Sequence, residues 1–406
     1  MDRPFRPARA LMSRGGMIRS LVLPCMILLA GCGSGASSSD VASDAGTPSD
    51  DGGPGGQDGS PTTGDAGEEE ASSPGDSAAP HDSGNGHDAA RDGAGVTDAA
   101  DGSAPAAIDY APYFPTWTWG AGSGYAYTSL VDLQQKAKLN EVTIAFVLSG
   151  GGCSADQGIE QNLSDVQAFV AAGGHVKASF GGADGTYVES GCSDASSLAS
   201  AIEAFVDATG ITDLDFDIEQ DPVLTDSVNA MRGQALALVQ ASRHVQVAFT
   251  LAANPHTSGS LGGLTTQGLS VVTHAVSGGV VISHVNLMTM DYGDSYGGQP
   301  LAPVAIGSLT DAATQLVSAI PGLTQAQAWR MLGVIPMIGK NDDAEVFSID
   351  DAKAVAAFAV QNRLGLVSFW SIDRDQVCPN GADYNSCSTV DPTNFAFDQV
   401  FQTVTQ

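Results

Sequence analysis

The chain has 406 residues, 43% of them apolar, which is enough for a large domain with a sizeable core plus further segments. Its 16 lysines and arginines stand against 46 aspartates and glutamates, a formal net charge of −30. A surface that acidic repels phosphate backbones and argues against a nucleic-acid partner.

Residues 1–31 read as a targeting segment. Arg3, Arg6, Arg9, Arg14 and Arg19 form a basic region. Leu21 to Ala30 form an apolar run too short to cross a bilayer core of ~30 Å as a helix. The run ends in Leu29-Ala30-Gly31-Cys32, which resembles the bacterial lipobox. That resemblance implies cleavage before Cys32, lipidation of its thiol and attachment to a membrane. Gly33 at the next position is similar to the pattern that sorts such proteins to the outer membrane. The expected location is therefore the bacterial cell surface or outer membrane, with release from the cell as the alternative.

Residues 33–106 hold fifteen acidic residues and one arginine among Gly, Ser, Ala, Pro and Thr. A segment with so few large apolar side chains cannot offset its chain entropy by burial. It is expected to be a disordered tether, extended by its own charge.

The remaining residues, 107–406, are expected to fold. With Cys25 in the export segment and Cys32 lipidated, Cys153, Cys192, Cys378 and Cys387 remain. An even number in an exported chain favours two disulfides, and three pairings are open. There is no CxxC or HExxH, and the histidines are scattered. No metal and no cofactor is expected.

From residue 107 onward, short β-rich runs alternate with helical patterns. The predicted strands are 108–113, 142–148, 175–181, 214–219, 245–251, 281–290, 332–338 and 366–372. Helical stretches fall near 127–139, 160–172, 195–209, 224–242, 262–277, 309–320, 350–362 and 393–404. Eight such units predict an α/β fold, a (β/α)8 TIM barrel. An open doubly wound sheet is the alternative, but no GxGxxG follows the first strand. In a barrel, Cys153 and Cys192 fall in neighbouring loops after strands two and three. Cys378 and Cys387 both follow strand eight. The expected pairs are Cys153–Cys192 and Cys378–Cys387.

Barrel active sites lie at the C-terminal ends of the strands. The fourth strand reads Leu214-Asp215-Phe216-Asp217-Ile218-Glu219. Strand alternation puts Asp215, Asp217 and Glu219 on one face and the apolar residues on the other. Three carboxylates crowded at a barrel mouth raise at least one pKa, so one can hold a proton near neutral pH and act as a general acid. A metal site would need further ligands at other strand ends, where only Asp291 stands out.

These residues resemble glycoside hydrolase family 18, the chitinase family, whose fourth strand carries D-x-x-D-x-D-x-E. Thr212 takes the first Asp position, Asp215 and Asp217 the next two, and Glu219 the last. Ser179-Phe180-Gly181-Gly182 is similar to the family's S-x-G-G. Met288-Thr289-Met290-Asp291 is similar to its M-x-Y-D, with Met290 in the place of Tyr. Trp370 falls where the family has a tryptophan on strand eight. The stretches 288–293, 335–341 and 368–375 look most like the bacterial chitinase D-like group.

The resemblance implies hydrolysis of β-1,4 N-acetylglucosamine linkages in chitin or chitooligosaccharides by a substrate-assisted, retaining mechanism. It implies Glu219 as the acid, Asp217 as the group that holds the acetamido N–H, and Asp215 as its tuner. Asp291, Met288 and Trp370 would contact the sugar, Trp370 as its apolar floor. Tyr292, two residues past Met290, is expected to supply the hydroxyl that Met290 lacks. Thr212 cannot share charge with the acidic row as an aspartate would. Ser179 is read as structural. The alternatives are a non-catalytic carbohydrate-binding barrel and an endo-β-N-acetylglucosaminidase acting on glycans; the retained Glu219 favours an enzyme. The expected partners are an N-acetylglucosamine-containing saccharide and, through the lipid, a membrane. A monomer is expected.

Overall fold

Strand and helix alternate from Asp109 onward, and in the computed structural model the strands assemble side by side. The structure describes residues 107–120, 124–379, 384–390 and 393–406. The export segment, Cys32 and the acidic tether lie outside the described residues. No helix among the described residues is long and apolar enough to cross a membrane.

The strands are β1 (Asp109–Tyr110), β2 (Tyr113–Pro115), β3 (Glu141–Val147), β4 (His175–Gly181), β5 (Asp213–Ile218) and β6 (Gln246–Asn254). They continue with β7 (Gly263–Leu264), β8 (Ile282–Met288), β9 (Leu332–Ile335), β10 (Gly339–Lys340), β11 (Val346–Phe347) and β12 (Leu366–Val367). The main sheet runs β1-β12-β9-β8-β6-β5-β4-β3-β2, with parallel neighbours throughout. This is a (β/α)8 barrel.

Closure depends on the first strand, which was expected as one run over 108–113 and is made in two pieces. β1 pairs with β12, and β2 pairs with β3. Between them Pro112 has no N–H to donate, but its carbonyl accepts the Thr143 N–H at 3.0 Å. The Ala111 N–H still reaches back to Val367 O at 3.2 Å. The strand thus changes partner at its middle and joins the two edges of the sheet.

Helices pack around the strands where local chemistry starts and stops them. Asp194 caps Ala195–Thr209 in a capping box with Ser197, and Gly210 ends it in the left-handed conformation. Ser348 and Asp351 form the same box at the start of Ile349–Asn362. The helix expected near 309–320 begins earlier, as Ala302–Ala319, because Pro303 sits in its first turn, where no helical N–H is needed. An unexpected helix, Gln325–Met331, leads straight into β9. On β5, Leu214, Phe216 and Ile218 are buried among the helices, and Phe216 stacks on Phe180 at 5.1 Å.

The inward face of β5 is paired layer by layer with β4. The register sets Lys177 beside Asp213, Ser179 beside Asp215 and Gly181 beside Asp217. At the N-terminal end, Lys177 Nζ lies 2.7 Å from Asp213, 2.9 Å from Glu141 and 3.6 Å from Asp109. Burial alone would lower the ammonium's pKa, yet these carboxylates outweigh it and hold it above the ordinary lysine value. Burial likewise favours a neutral Glu141, but hydrogen bonds from His175 and Lys177 hold it below its usual range.

Removing one partner of a buried ion pair strands the other charge and costs about 3–5 kcal/mol. Lys177→Met should lower stability by about that amount at pH 7, measured by urea unfolding. Glu141 is held low, so its stabilising contribution is present above its unfolded pKa and is lost as pH falls through the folded one. The gap between wild type and variant should therefore narrow in acid. A gap that widens in acid would contradict the pairing.

Candidate active site

The C-terminal end of β5 carries the acidic row. Asp215 is buried and surrounded by hydroxyls: Ser179 Oγ donates to Oδ2 at 2.6 Å and Thr250 Oγ1 to Oδ1 at 2.8 Å. The Tyr113 hydroxyl lies 2.9 Å from Oδ2, and Asn286 Nδ2 approaches Oδ1 at 3.4 Å. Burial pushes the Asp215 pKa up, and the three hydroxyls pull against it.

Asp217, one layer higher, has no such neighbours. Its β4 partner is Gly181, where a Cβ would meet Asp217 O at 2.1 Å. Gly182 follows with φ +95°, and a Cβ there would meet the Phe146 ring at 2.7 Å. The S-x-G-G segment therefore supplies one hydroxyl to Asp215 and then clears the way for close backbone contact. The Asp217 and Glu219 carboxyls are close enough to perturb each other's ionisation. Asp217 Oδ1 is buried with no hydrogen-bond partner among the described residues. Burial, then Glu219, then Asp215 push Asp217 well above the usual carboxylate range.

Glu219 lies just past the end of β5 and is partly exposed. Its N–H donates to the Tyr187 hydroxyl at 2.9 Å, and that hydroxyl lies 2.8 Å from Gly182 O and 2.9 Å from Asp217 O. Tyr187 thus ties the end of β4 to the end of β5. Burial and then the charge of Asp291 push Glu219 up to about 7. Asp184 and Asp342 add to this, while the neighbouring Asp217 carboxyl opposes it.

An apolar wall faces the row. The Trp370 and Phe146 rings stack at 5.6 Å, Tyr113 meets Trp370 edge-on at 5.7 Å, and Trp117 lies 6.0 Å away, half exposed. Met290 packs into the same small cluster with Tyr113, Ala145 and Ile335. Met288, the last residue of β8, is buried two residues beyond Asn286 on the same strand face.

Tyr292 does not stand in for the missing hydroxyl. Asp291 has φ +51°, a left-handed conformation that breaks strand alternation. The Tyr292 hydroxyl instead lies 3.1 Å from Ser308 Oγ on the surrounding helix, and its ring packs on Tyr296. Thr212 is exposed at the entry to β5, out of register with the acidic row. The residue below Asp215 on the inward face is Asp213, already neutralised by Lys177.

Several functional neighbours went unread in the sequence. Tyr113 falls at the end of a predicted strand, and Tyr187, Thr250, Asn286 and Phe146 belong to no motif. Asp342 and Asp343 come from a β10–β11 hairpin that was not expected. Asp291 is pushed up to about 7 by burial and then by Asp342. Glu345, fully buried near them, is pushed up to about 8 by burial and then by Asp343.

The disulfides join Cys153 to Cys192 and Cys378 to Cys387. One group among the described residues has metal-ligand spacing, Glu141, His175 and Asp213. It lies at the opposite end of the barrel, where Lys177 is already bonded to two of the three.

No family model matches the chain. Active domain 2 of the chitinase from Pyrococcus furiosus is 30% identical with a TM-score of 0.63, over 74% of this chain and 96% of that one. The chain is 31% identical to Endochitinase 11 of Metarhizium anisopliae over 66% of its own length and 52% of that protein. It is 29% identical to the "Probable bifunctional chitinase/lysozyme" of Escherichia coli K12 over 73% of its own length and 34% of that protein. It thus spans about half or less of these two curated relatives. A barrel with this acidic strand end is of the glycoside hydrolase class. Within that class, the chain belongs to glycoside hydrolase family 18, the chitinase family.

Because the Asp291 charge helps hold the Glu219 proton, Asp291→Asn should let that proton leave at lower pH. A carbon-13 NMR titration of the Glu219 carboxyl should show a downward shift of its midpoint. An unchanged or higher midpoint would disprove the coupling.

Proposed function

We propose that the barrel hydrolyses β-1,4 N-acetylglucosamine linkages in chitin or chitooligosaccharides with retention of configuration, using the substrate's acetamido group as nucleophile. The observation that carries this reading is the state of Asp217. Its Oδ1 is buried without a hydrogen-bond partner among the described residues, and burial and the neighbouring Glu219 push its pKa well above the usual carboxylate range. An acetamido N–H is a donor that satisfies that oxygen.

Glu219 is poised near neutral pH, so it can give its proton to the glycosidic oxygen as the bond from that oxygen to the anomeric carbon breaks. The acetamido carbonyl oxygen bonds to the same carbon and forms an oxazolinium ion. Asp217 holds the N–H and balances the positive charge, and Asp215, kept in place by its hydroxyls, sets the Asp217 environment. Water then attacks the anomeric carbon, gives a proton to the Glu219 carboxylate and reopens the ring. Trp370, with Phe146 and Met290, forms the floor under the sugar, Met288 lines the site, and Asp291 supports the sugar from the side. The related Pyrococcus furiosus domain has been crystallised with chito-oligosaccharides, which supports the substrate class.

Glu219→Gln should keep fold and saccharide binding and reduce release of reducing ends by ~10²- to 10⁴-fold. A thiazoline mimic of the oxazolinium ring should inhibit competitively, and Asp217→Asn should weaken both turnover and that inhibition. Saccharide binding without turnover in the wild type would identify a carbohydrate-binding barrel instead. Release of whole glycans with chitooligosaccharides untouched would identify an endo-β-N-acetylglucosaminidase. An inverted first product would refute substrate assistance.

The same enzyme is held at a bacterial cell surface by lipid on Cys32, with residues 33–106 as its tether; the support is the sequence of that region. Cys32→Ser should move the protein from the membrane to the aqueous fraction, measured by fractionation. Unchanged membrane association would rule out the anchor.

A further inference from the structure

We infer that the hairpin formed by Gly339–Lys340 and Val346–Phe347 positions Asp291 for the reaction, with Asn341 and Asp343 as its positioning residues. This rests on the retaining-hydrolase reading of the site.

Asp291 cannot hold its own geometry. It lies beyond the end of β8, and its φ of +51° is in the left-handed region, which a residue with a Cβ seldom adopts without support. Something outside the strand must hold it, and the hairpin turn makes the contacts. The Asp291 N–H faces Asn341 Oδ1 at 3.4 Å, and Asp291 Oδ1 accepts the Asp342 N–H at 3.0 Å. Two residues on, the Gly293 N–H donates to Asp343 Oδ2 at 2.7 Å, and the Ala344 N–H donates to Asp294 Oδ1 at 3.1 Å. The two segments are laced in both directions, with donors and acceptors on each side.

The turn is itself anchored. Asn341 is fully buried, and its Nδ2 donates to Met337 O at 2.9 Å and Gly339 O at 3.0 Å. Asp343 Oδ1 accepts the Glu345 N–H at 2.8 Å, which closes the turn. Below it, the Lys340 N–H donates to Ser388 O at 3.0 Å and Arg374 Nη2 donates to Lys340 O at 2.5 Å. Ser388 follows the Cys378–Cys387 bridge directly. Phe347 closes the other arm in the core. Neither Asn341 nor Asp343 bonds to the acidic row of β5 in the structure, so both act on it through Asp291.

The test is a double-mutant cycle on chitooligosaccharide hydrolysis. Asn341→Ala and Asp343→Ala should each lower kcat/KM by ~10- to 100-fold in the wild-type background, the range a small misplacement produces. In an Asp291→Ala background each should cost less than about 2-fold, because the group they position is gone. Asp343→Asn, which keeps an oxygen for the Gly293 N–H, should recover most of the loss. Multiplicative losses in the Asp291→Ala background would overturn the inference and mark the hairpin as merely structural.

Crystal structures of the two alanine variants give a readout independent of activity. Asp291 should leave the left-handed region and its carboxylate should leave the Asp342 N–H. If Asp291 stays in place in both variants, the inference fails even if the wild type proves active. If Asp291 moves but the wild type releases no reducing ends, the positioning holds and the functional reading fails.

Discussion

Everything at the barrel mouth follows from one constraint, a strand that places carboxylates at 213, 215, 217 and 219 on the same side. Such a column repels itself unless each charge is met. The neighbouring strand meets them differently at each level. Asp213 receives an ammonium from Lys177, and Asp215 receives a hydroxyl from Ser179. Asp217 faces a glycine, which offers no side chain at all. Where the neighbour stops supplying donors, burial and mutual repulsion push the pKa of the remaining two carboxyls up. Reactivity arises at the level where compensation ends, on a scaffold that is well compensated beneath it.

The mouth adds to the same imbalance. Asp184, Asp291 and Asp342 each hold the Glu219 proton more tightly, and Asp291 is itself held up by burial and by Asp342. Arg374, buried beneath the hairpin, opposes this field at Asp291 and Asp342, joined at Asp342 by Lys340. Across from the acids stands a wall of aromatic rings and a thioether, largely apolar. A neutral, amphipathic ligand with one apolar face and polar groups on its edges suits such a cleft better than a charged one.

The parts of this arrangement legible in the sequence are those with a period. Alternation exposes the acidic face of β5 and the order of strands and helices, because side-chain direction in a strand repeats every two residues. The lost parts lack that repetition. Pro112 splits the first strand through a backbone partner exchange that no side-chain pattern records. Tyr292 is misread because one left-handed residue, Asp291, resets the direction of everything after it. The hairpin carrying Asp342 and Asp343 consists of two-residue strands, too short to show any alternation. Tyr113 and Tyr187 matter through their hydroxyls, whose partners are 102 and 32 residues away in the chain.

The divided first strand also fixes when the barrel can close. β1 sits between the start and the finish of the domain: it pairs with Leu366–Val367, and the Tyr110 hydroxyl donates to Asp398 at 2.8 Å across 288 residues. Neither partner exists until synthesis has passed β12 and Asp398. A nascent chain emerging from the ribosome can build the arc from β2 to β9, but that arc has an open seam and a half-exposed column of acids until the last segment arrives. Contacts this distant along the chain form slowly, because the loop must close before they contribute. The segment from Leu366 onward, which carries no part of the acidic row, therefore decides whether the row is ever enclosed.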